Sequence, residues 1–408
     1  MRCALRISCW WLMAAVASAL SAAAWAQPQP AVCCAPSTPA VPRVAAGADV
    51  QPADAPSREG MVWVPGGTFT MGGDDGFAQP HERPLHRVRI DGFWIDATEV
   101  TNAQFRAFVE ATGYVTVAER AIDWEQIKKQ VPPGTPKPPD EMLRPASLVF
   151  NPPPPEAQVD YSNYHVWWKL VPGASWRAPR GPGSDIDGLD DHPVVQVCWE
   201  DAAAYAAWAG KQLPTEAQWE LAARGGGDAV HTTNVWGDDP AHPTKANYWQ
   251  GKFPRQNTAE DGYVYTNPVK AFAPNALGLY GMAGNVWEWC ADRYRVDAYA
   301  RRVHAAGPDA VIENPTGPTR SFDPRNPHAP ELRAQRGGSF LCNDAYCANY
   351  RPSSREAATP DSAMNHLGFR TVLIAPGPAQ KPEAKTTARE PSHSGGGSEA
   401  DPAVAHSF

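Results

Sequence analysis

Apolar and polar positions follow a helical period in three short stretches of the chain. Residues 101–113 show it most clearly, with Thr101 and Gln104 in the spacing of a capping box and a glycine as the stop. Residues 215–225 repeat that scheme, and residues 200–210 form a shorter alanine-rich stretch that also ends in glycine. The pattern therefore predicts three short helices.

Short β-rich runs predict strands in four places. They lie at residues 61–72, 86–96, 192–199 and 368–374. Between the predicted elements, a proline-rich stretch over 131–158 is expected to be an ordered surface excursion in extended or polyproline conformation. Together these features predict an α+β domain that is rich in loops and has little regular secondary structure.

Changes in composition set the boundaries of this domain. Residues 1–26 combine a basic start, an apolar run and a small-x-small end, which is typical of a cleaved secretory signal peptide. Residues 27–60 and 375–408 lack periodicity and are expected to be a disordered Ala/Pro linker and a disordered tail. The apolar run is too short to favour stable membrane insertion. We therefore expect one large domain over 61–374, exported to the periplasm or secreted.

Composition and charge exclude some classes of protein. The 408 residues include 43 Pro, 33 Gly and 16 Trp, which indicates a loop-rich protein stabilised by large aromatic contacts rather than a helical bundle. The net charge of −8, with no basic run, argues against binding nucleic acid through its phosphates.

Two segments carry carboxylates that suit a hard cation. Glu288 lies between two tryptophans, so its buried charge would need compensation, which a cation with nearby backbone carbonyls would supply. Asn247 and Asp261 lie on a segment too irregular to satisfy its own carbonyls. Calcium is the ion expected at both places.

Two cysteines, Cys342 and Cys347, lie five positions apart in a segment that predicts no regular helix. A disulfide between them would close a very small loop and would stabilise the fold only weakly. A redox dithiol, a nucleophile with a resolving partner, and a two-thiolate site for copper(I) are the functional alternatives. Residue chemistry alone leaves the disulfide and these three roles open.

Several blocks of the sequence resemble a known family, the formylglycine-generating enzymes, which convert a cysteine in the active-site motif of sulfatases to Cα-formylglycine. The clearest blocks are "KANYWQGKFP", "GLYGMAGNVWEW" and "RGGSFLCNDAYCANYR", and the resemblance covers nearly all of 61–374. It implies the family's C-type-lectin-like fold. Because both cysteines keep the family's Cys-x4-Cys spacing, it also implies an oxidoreductase acting on a protein cysteine with dioxygen as acceptor.

The resemblance assigns roles to individual positions. It implies that Cys342 and Cys347 are catalytic and hold copper(I), with Ser339 as the active-site serine. It implies a structural calcium bound by Asn247, Tyr248, Asp261 and Tyr263. It places a second calcium at Gly281, Gly284, Val286 and Glu288, although relatives commonly have asparagine in the place of Gly281. As walls of a substrate groove we expect Trp167, Trp168 and Trp176, for which core packing is the alternative.

Other positions depart from the family pattern. Asn343 and His366 stand where relatives often have histidine and asparagine, respectively. Residues 206, 223, 352 and 371 are Ala, Ala, Pro and Thr where the vertebrate enzyme has structural disulfides. This chain is therefore expected to hold its fold without those disulfides.

The implied partner is an unfolded or nascent sulfatase polypeptide presenting an extended Cys-x-Pro-x-Arg segment to a monomeric enzyme. Two other hypotheses stay open at this point. The chain could be a non-catalytic, lectin-like binding protein of the periplasm whose cysteines form a plain disulfide. It could also be a family relative that oxidises a small metabolite.

Overall fold

The computed structural model describes residues 56–128, 134–161, 163–227, 231–324 and 331–375. The predicted signal peptide, most of the predicted linker and nearly all of the predicted tail lie outside these residues. Over the described residues, no helix is long and apolar enough to cross a membrane.

Five α-helices and fourteen mostly short strands form within the described part of the chain. The helices are α1 (Asn102–Thr112), α2 (Trp124–Ile127), α3 (Trp199–Trp208), α4 (Glu216–Ala223) and α5 (Ala298–Ala306). The strands are β1 (Met61–Val64), β2 (Gly67–Met71), β3 (His86–Ile90), β4 (Phe93–Asp96), β5 (Ala146–Phe150), β6 (Trp168–Pro172), β7 (Gly251–Lys252), β8 (Gln256–Asn257), β9 (Trp287–Arg293), β10 (Val311–Glu313), β11 (Arg333–Arg336), β12 (Arg355–Ala358), β13 (Leu367–Gly368) and β14 (Val372–Leu373). The predicted mixed, loop-rich architecture is confirmed.

Capping boxes start two of the three predicted helices. At α1 the Thr101 hydroxyl accepts the Gln104 N–H at 3.3 Å, and the Gln104 side chain accepts the Thr101 N–H at 2.9 Å. Thr215 and Gln218 make the same reciprocal pair at the start of α4. Both starts are as predicted, and α3 also forms where the alanine-rich stretch predicts it.

The strands form three small sheets and two two-stranded ribbons in the described residues. The sheets have the strand orders β1-β4-β14, β10-β3-β2 and β12-β11-β9-β13, and the ribbons are β5-β6 and β7-β8. Helix α4 packs against β2, β3, β9 and β11, so it joins two of the sheets into one core. The other large apolar cluster packs α1 and α3 against buried aromatic residues from later loops.

Strand β9 lies between two strands that run in opposite directions. It pairs antiparallel with β11, where Glu288 is opposite Arg336, and parallel with β13, where Trp287 is opposite Leu367. The end of β11 and the start of β13 therefore lie side by side at the end of the sheet where β9 begins.

The prediction of a strand at 192–199 is wrong. Pro193 makes a single bridge with Thr101, and no strand follows before α3 begins. The reason is Gln196, which has a left-handed backbone (φ 59°) and a fully buried side chain that donates to two backbone carbonyls. A residue turned in this way cannot continue an extended strand.

Two other expectations need correction. The runs at 61–72, 86–96 and 368–374 each form two short strands rather than one. In the last of them Arg370, between the two strands, turns its side chain into the interior to meet Glu288. The surface excursion expected over 131–158 includes β5, whose Leu148, Val149 and Phe150 are buried, so this part of the proline-rich stretch belongs to the core.

Four fully buried arginines meet buried carboxylates. Arg370 donates to both oxygens of Glu288, from Nε at 2.6 Å and from Nη2 at 2.7 Å. The other three pairs are Arg336–Glu220, Arg351–Glu82 and Arg355–Glu216. Breaking such a pair leaves an uncompensated charge in the interior, which costs far more than losing an exposed pair.

We expect Arg370→Met to lower the free energy of unfolding by about 3–5 kcal/mol, because it strands the buried carboxylate of Glu288. Urea unfolding followed by tryptophan fluorescence measures the loss. The matched control is Arg89→Met, whose partner Glu313 is 64% exposed, and this variant should lose less than about 1 kcal/mol. Equal losses in the two variants would show that the buried Arg370–Glu288 pair contributes no more to the free energy of unfolding than an exposed pair does.

Candidate active site

Cys342 and Cys347 lie in the loop that follows β11, at the end of the sheet where β9 begins. Gly284 donates its N–H to the carbonyl of Gly337 at 2.8 Å, and Phe340 donates to the carbonyl of Asn285 at 2.9 Å. These bonds fix the chain after β11 against the turn that leads into β9. The segment that carries the first cysteine is thus held by backbone contacts on both sides of Ser339.

Ser339 and Cys342 form a reciprocally bonded turn. The Cys342 N–H donates to the Ser339 carbonyl at 2.9 Å, and the Ser339 N–H donates to the Cys342 sulfur at 3.4 Å. Both side chains are buried, with Ser339 fully so. The backbone thus places the serine hydroxyl and the thiol in one small enclosed volume.

Cys342 and Cys347 are free thiols, and each side chain is a hydrogen-bond partner of the other. Burial and this hydrogen bond raise the pKa of Cys342 well above its ordinary value. Burial also acts to raise the pKa of Cys347, but hydrogen bonds from Cys342 and from backbone N–H groups outweigh it and lower the pKa. Cys347, which is half-buried, is the more accessible of the two thiols.

This thiol pair fits a soft metal ion. Two sulfur donors lie side by side without a disulfide between them, and thiolates are the ligands that copper(I) prefers. The remaining described cysteines, Cys198 and Cys290, are also free, but they are fully buried in other parts of the core. The structure thus brings together only one pair of thiols among the described residues.

His366 reaches the same site from the start of β13. Its backbone is fixed by the N–H of Trp287, which donates to the His366 carbonyl at 2.9 Å. Its Nδ1 lies 2.9 Å from the Ser339 hydroxyl oxygen, and its ring packs against Trp168 with the centroids 4.8 Å apart. Burial lowers the pKa of His366 to about 3, so the ring is neutral.

Asn343 has a structural role next to Cys342. Its side-chain amide donates to the carbonyl of Trp249 at 2.9 Å, while its side-chain oxygen accepts the N–H of Ala345. The N–H of Trp249 in turn donates to the Cys342 carbonyl at 2.8 Å. These contacts use the Asn343 side chain to hold the loop that joins the two cysteines.

An aromatic wall, defined here as Tyr161, Trp167, Phe253 and Tyr346, lies beside Cys347. Tyr346 stacks on Phe253 at 4.4 Å between ring centroids, and its buried hydroxyl has no partner among the described residues. Tyr161 is 38% exposed and donates its hydroxyl to the Phe253 carbonyl. The wall therefore has one member open to solvent.

The three tryptophans expected in a groove are all buried. Trp167 belongs to the aromatic wall and Trp168 packs on His366, so both lie next to site residues. Trp176 is fully buried against Phe105, with the guanidinium of Arg177 over its ring, so the structure places it in the core rather than in a groove. Composition could not separate these cases, because groove and core tryptophans look alike in sequence.

Part of the donor set expected for the first calcium suits a hard cation. Asn247 is 1% exposed, and its side-chain oxygen is buried without a partner. The carbonyl of Tyr248 and the Oδ2 of Asp261 converge on one donor, the Nε2 of Gln250. Burial raises the pKa of Asp261, so a cation there would also favour its charged form.

The segment that carries these donors (residues 247–263, here called the calcium segment) is hydrogen-bonded to residues next to the Ser339–Cys342 turn (here called the cysteine turn). Asn247 accepts the Asn285 N–H through its carbonyl at 2.9 Å, and Trp249, two residues on, holds Cys342. A Cβ on Gly284 would lie 2.0 Å from the Asn247 carbonyl oxygen, so the close approach requires glycine. A change in the backbone of the calcium segment would therefore also displace the cysteine turn.

The donors expected for a second calcium do not fit. Gly281 has no side-chain donor, and both oxygens of Glu288 are already bound by Arg370, with the Trp219 indole N–H as a further donor at 2.8 Å. The carboxylate of Glu99 occupies the space beside Gly281, since a Cβ there would lie 2.3 Å from its Oε1. The compensation expected from a cation at Glu288 comes from Arg370.

Glu99 and Arg370 are residues that sequence reasoning missed. Glu99 is fully buried, accepts the Asn285 side-chain N–H at 2.9 Å and lies 3.9 Å from Arg370. Burial and the nearby charge of Glu288, opposed by Arg370, raise the pKa of Glu99 to about 7. No local signal marks either residue, because each acquires its role from partners that are far away in the sequence.

The fold and site define a loop-rich α+β protein with a buried pair of thiols. A profile of the family described as sulfatase-modifying factor enzyme 1-like domain matches residues 47–375, and the chain belongs to this family. A formylglycine-generating enzyme from Thermomonospora curvata is 47% identical over 317 residues, covering 76% of this chain and 92% of that protein.

Two further relatives show the range of the family. A formylglycine-generating enzyme from Streptomyces coelicolor is 45% identical over 339 residues, covering 81% of this chain and 95% of that protein. A Mus musculus protein named inactive C-alpha-formylglycine-generating enzyme 2 is 38% identical over 324 residues, covering 78% of this chain and 87% of that protein. Family membership alone therefore does not decide activity, which has to be argued from the site.

We expect the purified protein to hold about one calcium per chain, because one donor set fits and the other does not. Metal analysis after dialysis against calcium-containing buffer measures the ratio. Asp261→Asn should lose this ion and lower the melting temperature, whereas the exposed control Asp309→Asn should change neither. Two tightly held calcium ions per wild-type chain would contradict the assignment.

We expect Glu99 to make stability fall as pH rises. Because its pKa is raised from 4.5 to about 7, the folded state holds the proton more tightly, and the resulting stability is complete below pH 4.5 and is lost as pH rises through 7. The wild type should therefore lose free energy of unfolding between pH 5 and pH 8. In Glu99→Gln this loss should be smaller by on the order of 2 kcal/mol, because glutamine does not titrate.

Urea unfolding at both pH values measures this difference, with the exposed Glu313→Gln as the control. The wild type and the control should show the same pH dependence. If the free energy of unfolding of Glu99→Gln fell with pH as much as that of the wild type, Glu99 would be ionised at little cost in the folded state.

Proposed function

We propose that this protein is a formylglycine-generating oxidoreductase. In this proposal it converts the cysteine of a sulfatase Cys-x-Pro-x-Arg segment to Cα-formylglycine, with dioxygen as the oxidant. The single observation that carries the proposal is the pair of free, hydrogen-bonded thiols at Cys342 and Cys347, enclosed beside Ser339. Relatives named formylglycine-generating enzyme, at 45–47% identity over most of the chain, support it.

Cys342 and Cys347 would hold copper(I), whose soft thiolate ligation suits the chemistry of dioxygen reduction. The two thiols differ in access, since Cys342 is 2% exposed and Cys347 is half-buried. A substrate thiol therefore approaches from the side of Cys347, while Cys342 is kept from water by the core around it. Ser339 lies on the enclosed side, where it can orient a reacting thiol.

The aromatic wall beside Cys347 is the surface that supports a peptide substrate. Aromatic faces bind proline rings and other apolar groups through large contact areas. Tyr161 offers exposed ring surface at the open side of this wall. These features favour an extended peptide as substrate rather than a small metabolite.

The substrate in this proposal is an unfolded or nascent sulfatase, because a cysteine in a folded core could not reach the enclosed thiols. The predicted signal peptide would place the encounter outside the cytoplasm, as sulfatase chains emerge across the membrane. In that oxidising setting, metal supply would decide whether the two thiols stay reduced or close as a disulfide.

The test is mass spectrometry of a synthetic Cys-x-Pro-x-Arg peptide incubated in air with the copper(I)-loaded protein. We expect the mass change that accompanies conversion of the thiol side chain to an aldehyde. Cys342→Ser and Cys347→Ser should each abolish it, because either change removes a metal-binding thiol. Cys198→Ala, which removes a buried thiol elsewhere in the core, should keep the activity.

An unchanged peptide in the presence of folded, copper-loaded wild-type protein would sink the proposal. The non-catalytic binding protein would then be the better account, and a Cys342→Ser protein should still bind its partner. Conversion by the Cys347→Ser variant would also count against it, since one thiol would then suffice.

A further inference from the structure

We infer that His366 is a positioning residue that accepts the hydroxyl proton of Ser339 in a hydrogen bond and so leaves a lone pair of that oxygen free for a reacting thiol. This inference rests on the proposed function only for what Ser339 does with substrate. The hydrogen bond itself is a property of the resting protein.

Strand pairing accounts for the meeting of these two residues. Ser339 follows β11 and His366 precedes β13, and both strands flank β9 with opposite directions. The two residues are 27 positions apart, yet Nδ1 of the imidazole lies 2.9 Å from the serine oxygen. The Trp287 N–H fixes the His366 backbone, and Trp168 packs on the ring, so the imidazole has little freedom to turn away.

Counting donors and acceptors at the serine oxygen decides the direction of the bond. A hydroxyl has one proton and two lone pairs, and the Leu341 N–H already donates to one lone pair at 3.2 Å. If His366 donated from Nδ1, both lone pairs would be used and the hydroxyl proton would need another acceptor. Among the described residues no other acceptor for it is within hydrogen-bonding distance.

The opposite direction gives the Ser339 hydroxyl proton an acceptor. The Ser339 hydroxyl donates to Nδ1, the ring proton sits on Nε2, and one lone pair of the oxygen stays free. Fully buried hydroxyl groups strongly favour such complete pairing. The burial that keeps His366 neutral is consistent with this arrangement, because a cationic ring would carry a proton on both nitrogens.

The free lone pair gives Ser339 a defined task in the proposed reaction. It can accept a hydrogen bond from the thiol of an incoming cysteine and so hold that sulfur next to Cys342, whose own sulfur accepts the Ser339 N–H. An asparagine substituted at position 366 would offer an acceptor oxygen. Phenylalanine offers none while keeping an aromatic ring against Trp168.

The first arm of the test needs neither copper nor substrate. Nitrogen-15 NMR of the histidine-labelled protein should show Nδ1 of His366 unprotonated and hydrogen-bonded, with the signal assigned by its loss in His366→Asn. Ser339→Ala should shift this signal. A protonated Nδ1 in the wild type, or a signal that Ser339→Ala leaves unchanged, would overturn the inference.

The second arm measures kcat/KM for the Cys-x-Pro-x-Arg peptide. His366→Phe should lower it about tenfold, the effect of losing one buried hydrogen bond, whereas His366→Asn should stay within about threefold of the wild type. In a Ser339→Ala background His366→Phe should cause no further loss, because the two residues act through one bond. Independent, multiplying losses would refute the coupling.

The exposed His304→Phe is the matched control for histidine replacement and should leave kcat/KM unchanged. If the wild-type protein does not convert the peptide, the proposed function fails while the NMR arm still decides whether His366 orients Ser339. If the protein converts the peptide but Nδ1 is protonated, the inference fails and the proposed function stands.

Discussion

The fold depends on buried arginine side chains that neutralise buried glutamates. Arg336, Arg351, Arg355 and Arg370 each have 1% exposure or less, and each meets at least one carboxylate in the interior. A chain with short strands and long loops has many backbone carbonyls that no ladder satisfies, and guanidinium groups donate to these as well. Arg336, for example, binds the carbonyl of Pro352 at 2.9 Å. This hydrogen bond fixes the backbone at residue 352, which lies outside the strands.

One of these charged pairs lies on the strand from which the site is built. Glu288 on β9 binds Arg370 next to β13, and the same strand pairs with β11, after which the cysteine turn follows. The turn before β9 carries Gly284 and Asn285, which touch both the calcium segment and the cysteine turn. The segment expected to bind calcium, the thiol pair and the serine–histidine contact are therefore parts of one hydrogen-bonded unit. A change in any of them is expected to reach the thiols through backbone contacts rather than through flexible side chains.

Local signals in the sequence predicted the helices, because a capping box needs only residues three positions apart. The strands β9, β11 and β12 were missed because their buried positions include Glu288, Arg336 and Arg355, and charged residues ordinarily indicate a surface. The cysteine pair could be found from spacing, and Ser339 from a family resemblance. Arg370 and Glu99 could not be found, since each gains its meaning from partners far away in the sequence. The second calcium failed as an expectation for the same reason: the pairing of Glu288 with Arg370 is visible only in three dimensions.

The central claim is that Cys342 and Cys347 together form a soft-metal site. Copper(I) binding, measured anaerobically by competition with a chromogenic chelator, tests it most directly and requires no substrate. The account predicts about one copper(I) per chain in the wild type, retained in Cys198→Ala and lost in Cys342→Ser and in Cys347→Ser. Equal copper(I) affinity in the wild type and either serine variant would contradict the account, because the ion would then be held elsewhere.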